Sequence, residues 1–194
     1  MEGKSSRFDK TIEIAEDVSA LLSDLGVESA VIGAMALGVH GYARGTDDFD
    51  LGVITSEPEE IFEQIVAELS AEFDTDYRLP DASDPLGGVL TIEGAGMQPI
   101  EIVNFVNRDN LTLRSPGPAA VRHSKAGLIE DSPLKVVTLP YLVALKLFAG
   151  GFASLGDAVA LLEHNPDADL EMIREVCREY GLEREFDAVV DELA

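Results

Sequence analysis

The chain has 194 residues, of which 46% are apolar, and its 14 Lys and Arg residues face 37 Asp and Glu residues, for a formal net charge of −23. That apolar content suits one folded core and excludes a disordered chain, while the negative charge argues against an extended nucleic-acid groove, which must attract phosphates. The single cysteine excludes an intramolecular disulfide. The first residues carry no apolar signal segment, and the longest uncharged run, residues 29–43, is shorter than the ~20 residues of a membrane span, so we expect a cytoplasmic protein with no membrane partner.

The first third of the chain alternates short helices and strands. Hydrophobic spacing and turn residues predict a helix at residues 9–25, a strand at 28–33, a short helix at 34–40 and a strand at 47–54. Alternation along the last of these strands puts Asp48 and Asp50 on one face and Phe49 and Leu51 on the other. Two carboxylates so close repel each other unless a cation lies between them, and a hard oxygen-rich site suits Mg²⁺ or Mn²⁺. The alternative is an acidic loop on an acidic surface, and the spacing of the two Asp residues alone leaves both interpretations open.

The remaining sequence predicts further strands and then helices only. A helix that begins with a capping box from Ser56 to Glu59 comes first. Two strands, "GGVLTIE" and "PIEIVNFV", are joined by a turn that contains glycine, and "PLKVVT" is a candidate edge strand. We therefore expect an α+β fold, with a mixed sheet flanked by helices in residues 1–137 and a C-terminal helical subdomain in residues 138–194 packed with it as one unit.

The segment that carries the paired Asp residues resembles a known family pattern. The nucleotidyltransferase superfamily, and in particular its small AbiEii/MenT-like toxin enzymes, has an apolar strand, a Gly-Gly or Gly-Ser pair, a short helix and then R-x-T-x-D-h-D before apolar residues. The stretch "VIGAMALGVHGYARGTDDFDLGV" is similar to this pattern at Gly33, Arg44, Thr46, Asp48 and Asp50. Ala34 stands at the second small position, so any contact that the family makes there through a Ser hydroxyl is missing.

Two later segments extend the resemblance. The family takes a third metal carboxylate from a later strand, and "PIEIVNF" supplies Glu101 where Asp is common, with Glu93 on the neighbouring strand as the competing candidate. The family also has L-h-A-L-K-L-x-A on a helix after the sheet, and "YLVALKLFAG" repeats it, with Lys146 at the position that touches nucleotide phosphates. Without this likeness, Lys146 would be interpreted as a surface lysine whose stem lies on apolar neighbours.

The sequence departs from the family beyond that helix. Where the family usually has A-G-R-x-K-D-x-x-D, this chain has "AGGFASLGD". Asp157 matches the final Asp, whereas Gly151, Ala153 and Ser154 replace charged residues. The departure removes charge that would help to hold a triphosphate.

The resemblance implies a metal-dependent transferase. Asp48, Asp50 and Glu101 would hold two divalent ions, Mg²⁺ or Mn²⁺, and would act with Lys146 in catalysis. The residues implied to bind the nucleotide are Gly33, Ala34, Arg44, Thr46, Lys146 and Asp157. The reaction would move NMP from an NTP to a hydroxyl of an acceptor, which in the resembled toxins is a tRNA 3′ end or a Ser or Thr of a partner protein. An antitoxin is then an expected partner. The net negative charge argues mildly against tRNA as the acceptor.

Two other hypotheses are compatible with the same residues. A degenerate relative would keep the fold and bind a nucleotide or a protein partner without transfer, which the lost charges at positions 151, 153 and 154 favour. In a third interpretation the acidic strand binds a structural cation only. The retention of Asp48, Asp50 and Lys146 favours the enzyme, and the presence of both Arg44 and Lys146 makes a structural cation the less economical interpretation.

Overall fold

The structure is a computed structural model that describes residues 6–80, 83–110 and 114–193. Within these ranges, helices and strands alternate as far as α3, three strands and a further helix follow up to residue 122, and only helices are found from residue 139 on. The helices are α1 (Arg7–Asp24), α2 (Gly33–Val39), α3 (Pro58–Leu69), α4 (Gly117–Arg122), α5 (Leu139–Ala149), α6 (Gly151–His164), α7 (Leu170–Glu179) and α8 (Glu183–Glu192). The strands are β1 (Glu28–Val31), β2 (Phe49–Ile54), β3 (Asp74–Arg78), β4 (Val89–Glu93) and β5 (Ile100–Asn104).

The strands form one mixed sheet in the order β1-β2-β5-β4-β3. β2 and β5 run parallel at its centre, and the other neighbouring pairs are antiparallel. The predicted α+β architecture is therefore confirmed. The central pairing places Asp50 directly opposite Glu101, so two predicted site residues become neighbours although 51 positions separate them along the chain.

The core lies where the sheet meets the helices. On β2, the side chains of Phe49, Leu51 and Val53 are fully buried, while Asp50 between them is only partly buried. Burial of side chains of this size contributes about 1.5–3 kcal/mol each, which fixes the register of the strand. α1 packs on β1 and α3, α4 packs on β1, β2 and α5, and α5 packs on α6 and α7. The apolar face of β2 thus fixes Asp50 on the opposite face of the strand.

Three local predictions differ from the structure. The capping box at the start of α3 is wrong, because Glu57 is the N-cap and no side chain caps it, while the Thr55 hydroxyl accepts from the Glu57 N–H at 3.1 Å. Strand β3 was not predicted, since its sequence "DTDYR" is mostly polar and it lies at the sheet edge. The candidate edge strand at 133–138 makes only isolated bridges, through Val136 to Val31 and Lys125.

The single cysteine of the chain lies in the C-terminal helices. Cys177 is fully buried in α7, and burial, followed by the charges of Asp187 and Glu185, raises the pKa of its thiol to about 12. A thiol of this kind remains protonated and is a poor nucleophile.

Across the described ranges, none of the helices combines the length and the apolar character that crossing a bilayer requires.

Asn104, the last residue of β5, ties the end of the central strands together. Its side chain is fully buried. Its Oδ1 accepts from the backbone N–H groups of Thr55 at 3.1 Å and Val106 at 3.2 Å. Its Nδ2 donates to the carbonyl oxygens of Thr55 and Val106, both at 3.0 Å, and approaches that of Gly87 at 3.3 Å. The side chain therefore replaces the strand partners that the backbone loses where β2 and β5 end.

We expect Asn104→Ala to lower the free energy of unfolding by about 3 kcal/mol, because several buried peptide groups lose their partner at ~1–3 kcal/mol each. Urea denaturation followed by circular dichroism measures this change. Gln64→Ala, on the exposed side of α3, is the control and should change the value by less than about 0.5 kcal/mol. A loss below about 1 kcal/mol for Asn104→Ala would contradict the assigned role.

Candidate functional site

Three carboxylates from two adjacent strands form the centre of the site. Asp50 and Glu101 face each other across the β2–β5 pair, and Asp48 lies one residue before β2. One carboxylate oxygen from each of the three lies within 4.8 Å of the others, and all three side chains are partly buried. Carboxylate oxygens are the ligands that Mg²⁺ and Mn²⁺ prefer, so the residues present fit a divalent cation. We call this group the acidic triad.

Burial and mutual repulsion raise the pKa of two carboxyl groups in the acidic triad. Burial, followed by the charges of Asp48 and Glu101, raises the pKa of the Asp50 carboxyl from 3.8 to about 7, although Lys146 and Arg44 act in the opposite direction. Burial and then Asp48 also raise the pKa of Glu101, against the effect of Arg78. At neutral pH the Asp50 carboxyl is therefore divided between its protonated and its charged form. A cation bound between the carboxylates would favour the charged one.

Gly33, the first residue of α2, lies against the triad. Its φ is +58°, a conformation that side chains with a Cβ rarely adopt. A Cβ added at Gly33 would lie 1.8 Å from Oδ2 of Asp50. The glycine predicted from the motif is thus required for two reasons, the backbone conformation and the close approach of Asp50. Ala34, the next residue, is buried and has no hydroxyl to offer a ligand.

The loop between α2 and β2 is anchored on both sides. The Thr46 hydroxyl donates to Oδ1 of Asp48, and the Nε2 of Gln98 donates to the Thr46 carbonyl oxygen at 3.0 Å. At the start of the loop, Asn165 of the α6 C-cap donates to the His40 carbonyl oxygen at 2.7 Å. The Thr46 hydroxyl therefore holds the Asp48 carboxylate in place. Neither Gln98 nor Asn165 was predicted, because an isolated amide side chain carries no sequence signal.

The two predicted cations meet at one buried carboxylate. Nζ of Lys146 lies 2.8 Å from Oδ2 of Asp157, and Nε of Arg44 lies 3.1 Å from Oδ1 of the same residue. The Lys146 side chain is only 13% exposed, so it does not extend along the surface into solvent. The pairing of Arg44 with Asp157 was missed, since 113 residues separate them in sequence and only tertiary packing brings them together.

Glu93, the competing third carboxylate, lines the same groove as Glu101 but lies next to the edge strand of the sheet. It pairs with Asp74 on the edge strand β3, whereas Glu101 pairs with Asp50. Among the described residues, the group of acidic side chains close enough to share a cation contains Glu101 and not Glu93. The geometry thus favours Glu101 over Glu93.

Two open spaces border the triad. A cavity of about 220 Å³ is lined by Arg44, Thr46 and Asp48 together with Ala34. A groove of about 340 Å³ on the β3–β4 side includes Glu101 among its lining residues. The triad therefore has accessible space on two sides.

Comparisons with known proteins place the fold. No protein-family model matches the sequence, and no curated protein is significantly similar to it. The antibiotic-resistance factor ANT(2″)-Ia has a similar structure, with a TM-score of 0.55 at 12% identity over 94% of this chain and 96% of the other. An antigenic nucleotidyltransferase-like protein from Paracoccidioides brasiliensis gives 0.53 at 12% identity, over 94% and 93% of the two chains. A nucleotidyltransferase candidate from Thermotoga maritima gives 0.51 at 14% identity, over 82% and 94%. The chain has the nucleotidyltransferase fold.

Gly33→Ala is expected to destabilise the protein by about 2 kcal/mol or more, because it combines a strained φ with a clash against Asp50. Gly38→Ala in the same helix is the matched control, since an added Cβ there meets nothing within 4 Å. That variant should be neutral or stabilising by up to about 1 kcal/mol. Thermal unfolding of both variants measures the difference, and equal stabilities would refute the close approach of Gly33 to Asp50.

Asp50→Asn is expected to stabilise the metal-free protein at pH 8. The folded-state pKa of Asp50 is raised to about 7, so its contribution to stability is fully present below the unfolded-state value near 4 and is lost as the pH rises through 7. The asparagine avoids this loss, which we place at about 2 kcal/mol, or about 6 °C in Tm for a chain of this size.

The measurement is Tm in EDTA at pH 5 and pH 8. The advantage of Asp50→Asn should be largest at pH 8 and about a third as large at pH 5, because the loss develops between the unfolded-state and folded-state pKa values of Asp50. Asp76→Asn, at an exposed position of the edge strand β3, should show no such pH dependence. A wild-type protein that is as stable as the variant at pH 8 would contradict the crowding of the carboxylates.

Proposed function

We propose that this protein is a metal-dependent transferase that moves NMP from an NTP to a hydroxyl group of an acceptor. The observation that carries the proposal is the convergence of Asp48, Asp50 and Glu101 within reach of Arg44 and Lys146. The nucleotidyltransferase fold supports it. The small AbiEii/MenT-like toxin enzymes remain the subfamily that we propose, on the resemblance of the sequence motifs.

The acidic triad would hold Mg²⁺ or Mn²⁺, and two ions are the expected number. Metal ions bound there would offset the charge of the phosphates and lower the pKa of the acceptor hydroxyl. Asp50 would release its proton when the site is loaded, since its pKa of about 7 reflects burial and the neighbouring carboxylates. Thr46 would keep Asp48 in place through its hydroxyl.

The remaining residues would bind the nucleotide. Gly33 lets the backbone approach Asp50 closely, and we expect it and Ala34 to border the phosphates. Arg44 and Lys146 would neutralise phosphate oxygens by charge-assisted hydrogen bonds. In this proposal residues 1–137 supply the acidic triad and Arg44, while the helical subdomain at 138–194 supplies Lys146 and Asp157. The nucleotide would therefore bind between the two.

The acceptor is proposed as a protein Ser or Thr or a tRNA 3′ end, within a toxin–antitoxin pair. The formal charge of −23 favours the protein acceptor, because a polyanion is repelled by a surface of this sign. The protein would act in the cytoplasm.

The second candidate is a nucleotide-binding or partner-binding protein without transfer. The observation that favours it is the start of α6, where Gly151, Ala153 and Ser154 provide none of the charge that the resembled family has there. Gly150 and Gly151 both have positive φ, so the turn is built from glycine in place of side chains that bind phosphate.

Calorimetric titration of each of the four NTPs, with Mg²⁺ or Mn²⁺ and with EDTA, tests the proposal. We expect one NTP to bind only with the metal. Asp50→Ala should abolish the metal dependence, and Lys146→Ala should weaken binding about 10- to 100-fold, as expected for loss of a charge-assisted hydrogen bond. Lys125→Ala, which changes an exposed lysine, is the control and should bind as the wild type does.

Incubation with the α-labelled form of that NTP, with host protein or with tRNA, then separates the two candidates. Label on either class of acceptor that is lost in Asp50→Ala supports the transferase. Binding without transfer supports the second candidate. Absence of binding to any NTP by folded wild-type protein would refute both nucleotide-dependent interpretations.

A further inference from the structure

Asp157 is a buried carboxylate that holds two cations from different parts of the fold. It lies on α6, is 5% exposed, and binds Lys146 of α5 with one oxygen and Arg44 of the α2–β2 loop with the other. A buried carboxylate is costly unless it is paired. Here the pairing is complete, and two positive groups around one negative group leave one positive charge in excess.

The contacts with Asp157 leave most donors of the two cations available. A guanidinium has five N–H donors in a planar fork, and Arg44 meets Asp157 through Nε. Nη1 of Arg44 also donates to the Gly45 carbonyl oxygen, at a longer distance of 3.3 Å. An ammonium has three donors, and Lys146 directs Nζ at a single Asp157 oxygen. Both groups can therefore bind a second anion while Asp157 holds them.

The cations that Asp157 holds lie beside the acidic triad. Arg44 and Asp48 line the same cavity of about 220 Å³. The charges of Lys146 and Arg44 both lower the pKa of Asp50, against the larger effects of burial and of the other carboxylates. The cation pair and the triad thus belong to one electrostatic environment.

We propose that Asp157 is a positioning residue that fixes Arg44 and Lys146 as one phosphate-binding unit and does not itself touch the nucleotide. The inference rests on the proposed function for the identity of the phosphate ligand. It gives Asp157 a role that differs from the direct nucleotide contact expected from the sequence motif. The physical gain is preorganisation, because long side chains lose up to ~2 kcal/mol of rotamer freedom when they are ordered. Arg44 is on a loop and 41% exposed, so it has the most to gain from an anchor.

The test is a double-mutant cycle with inorganic tripolyphosphate as the probe, at fixed Mg²⁺ concentration and fixed ionic strength. Asp157→Asn keeps the shape of the side chain and removes its charge. We expect it to weaken binding about tenfold, the effect of one misaligned charge-assisted contact. In a background that already carries Arg44→Ala and Lys146→Ala, the same substitution should change the residual affinity less than twofold, because its targets are gone. An equal loss in both backgrounds would show a general structural role and would overturn the proposal.

Asp187→Asn is the matched control. Asp187 also pairs with an arginine, Arg174, at 3.0 Å, but on the outer helices α7 and α8. The same chemical change there should leave tripolyphosphate binding unaltered. Equal or tighter binding by folded Asp157→Asn would overturn the proposal too, because it would mean that the carboxylate only opposes the anion.

Arg44→Lys provides a second variant that does not disturb the buried position. It keeps the charge but loses the Nε contact with Asp157. If the position of the Arg44 guanidinium matters, the affinity for tripolyphosphate should fall severalfold. An unchanged affinity would overturn the proposal even if Asp157→Asn fails to fold. Wild-type protein that binds tripolyphosphate with this pattern but transfers no NMP would refute the proposed function alone. Wild-type protein that does not bind tripolyphosphate would refute the role of Asp157.

Discussion

The parallel pairing of β2 with β5 is the constraint on which the site depends. It sets Asp50 opposite Glu101, while the apolar residues that alternate with Asp50 are held in the core. A shift of one residue would expose Phe49 and Leu51 and bury the carboxylates. The hydrophobic effect therefore maintains an arrangement that electrostatics opposes. Stability gained in the core offsets repulsion in the site, and a bound cation would remove most of that repulsion.

A second group of charged residues lies beside the acidic triad. In a protein with 37 acidic residues and only 14 Lys and Arg, two cations are gathered at Asp157 next to the acidic triad. With a divalent cation in the triad, the local field would attract a phosphate chain even though the surface as a whole repels one. The same contrast separates a small anionic substrate, which sees the local field, from a long polyanion, which sees the whole surface.

The sequence predicted the parts of this site that depend on local pattern. The alternation around Asp48 and Asp50 was sufficient to place them on one face, and the family motif identified Gly33, Arg44, Glu101 and Lys146 as candidates. What it could not predict depends on tertiary contacts. The pairing of Arg44 with Asp157 requires α6 to reach the α2–β2 loop. The anchoring of Thr46 by Gln98 joins positions 52 residues apart.

Errors in the predicted fold have a similar origin. β3 was missed because a polar edge strand is stabilised by backbone pairing with β4 and by the contact of Tyr77 with Phe62, neither of which is visible in a five-residue pattern. The capping box failed because Pro58 begins α3 one residue after Glu57, which leaves Ser56 outside the helix start. Proline at the first helical turn is itself a strong start signal, and it competes with the S-x-x-E pattern that the prediction used.

Anomalous diffraction from crystals grown with Mn²⁺ and a non-hydrolysable analogue of the NTP that binds is the most direct test of the central claim. We expect manganese peaks among the oxygens of Asp48, Asp50 and Glu101, with the phosphates against Arg44 and Lys146 and the Arg44–Asp157 contact intact. Manganese or nucleotide at any other position, with the acidic triad free of metal, would contradict it.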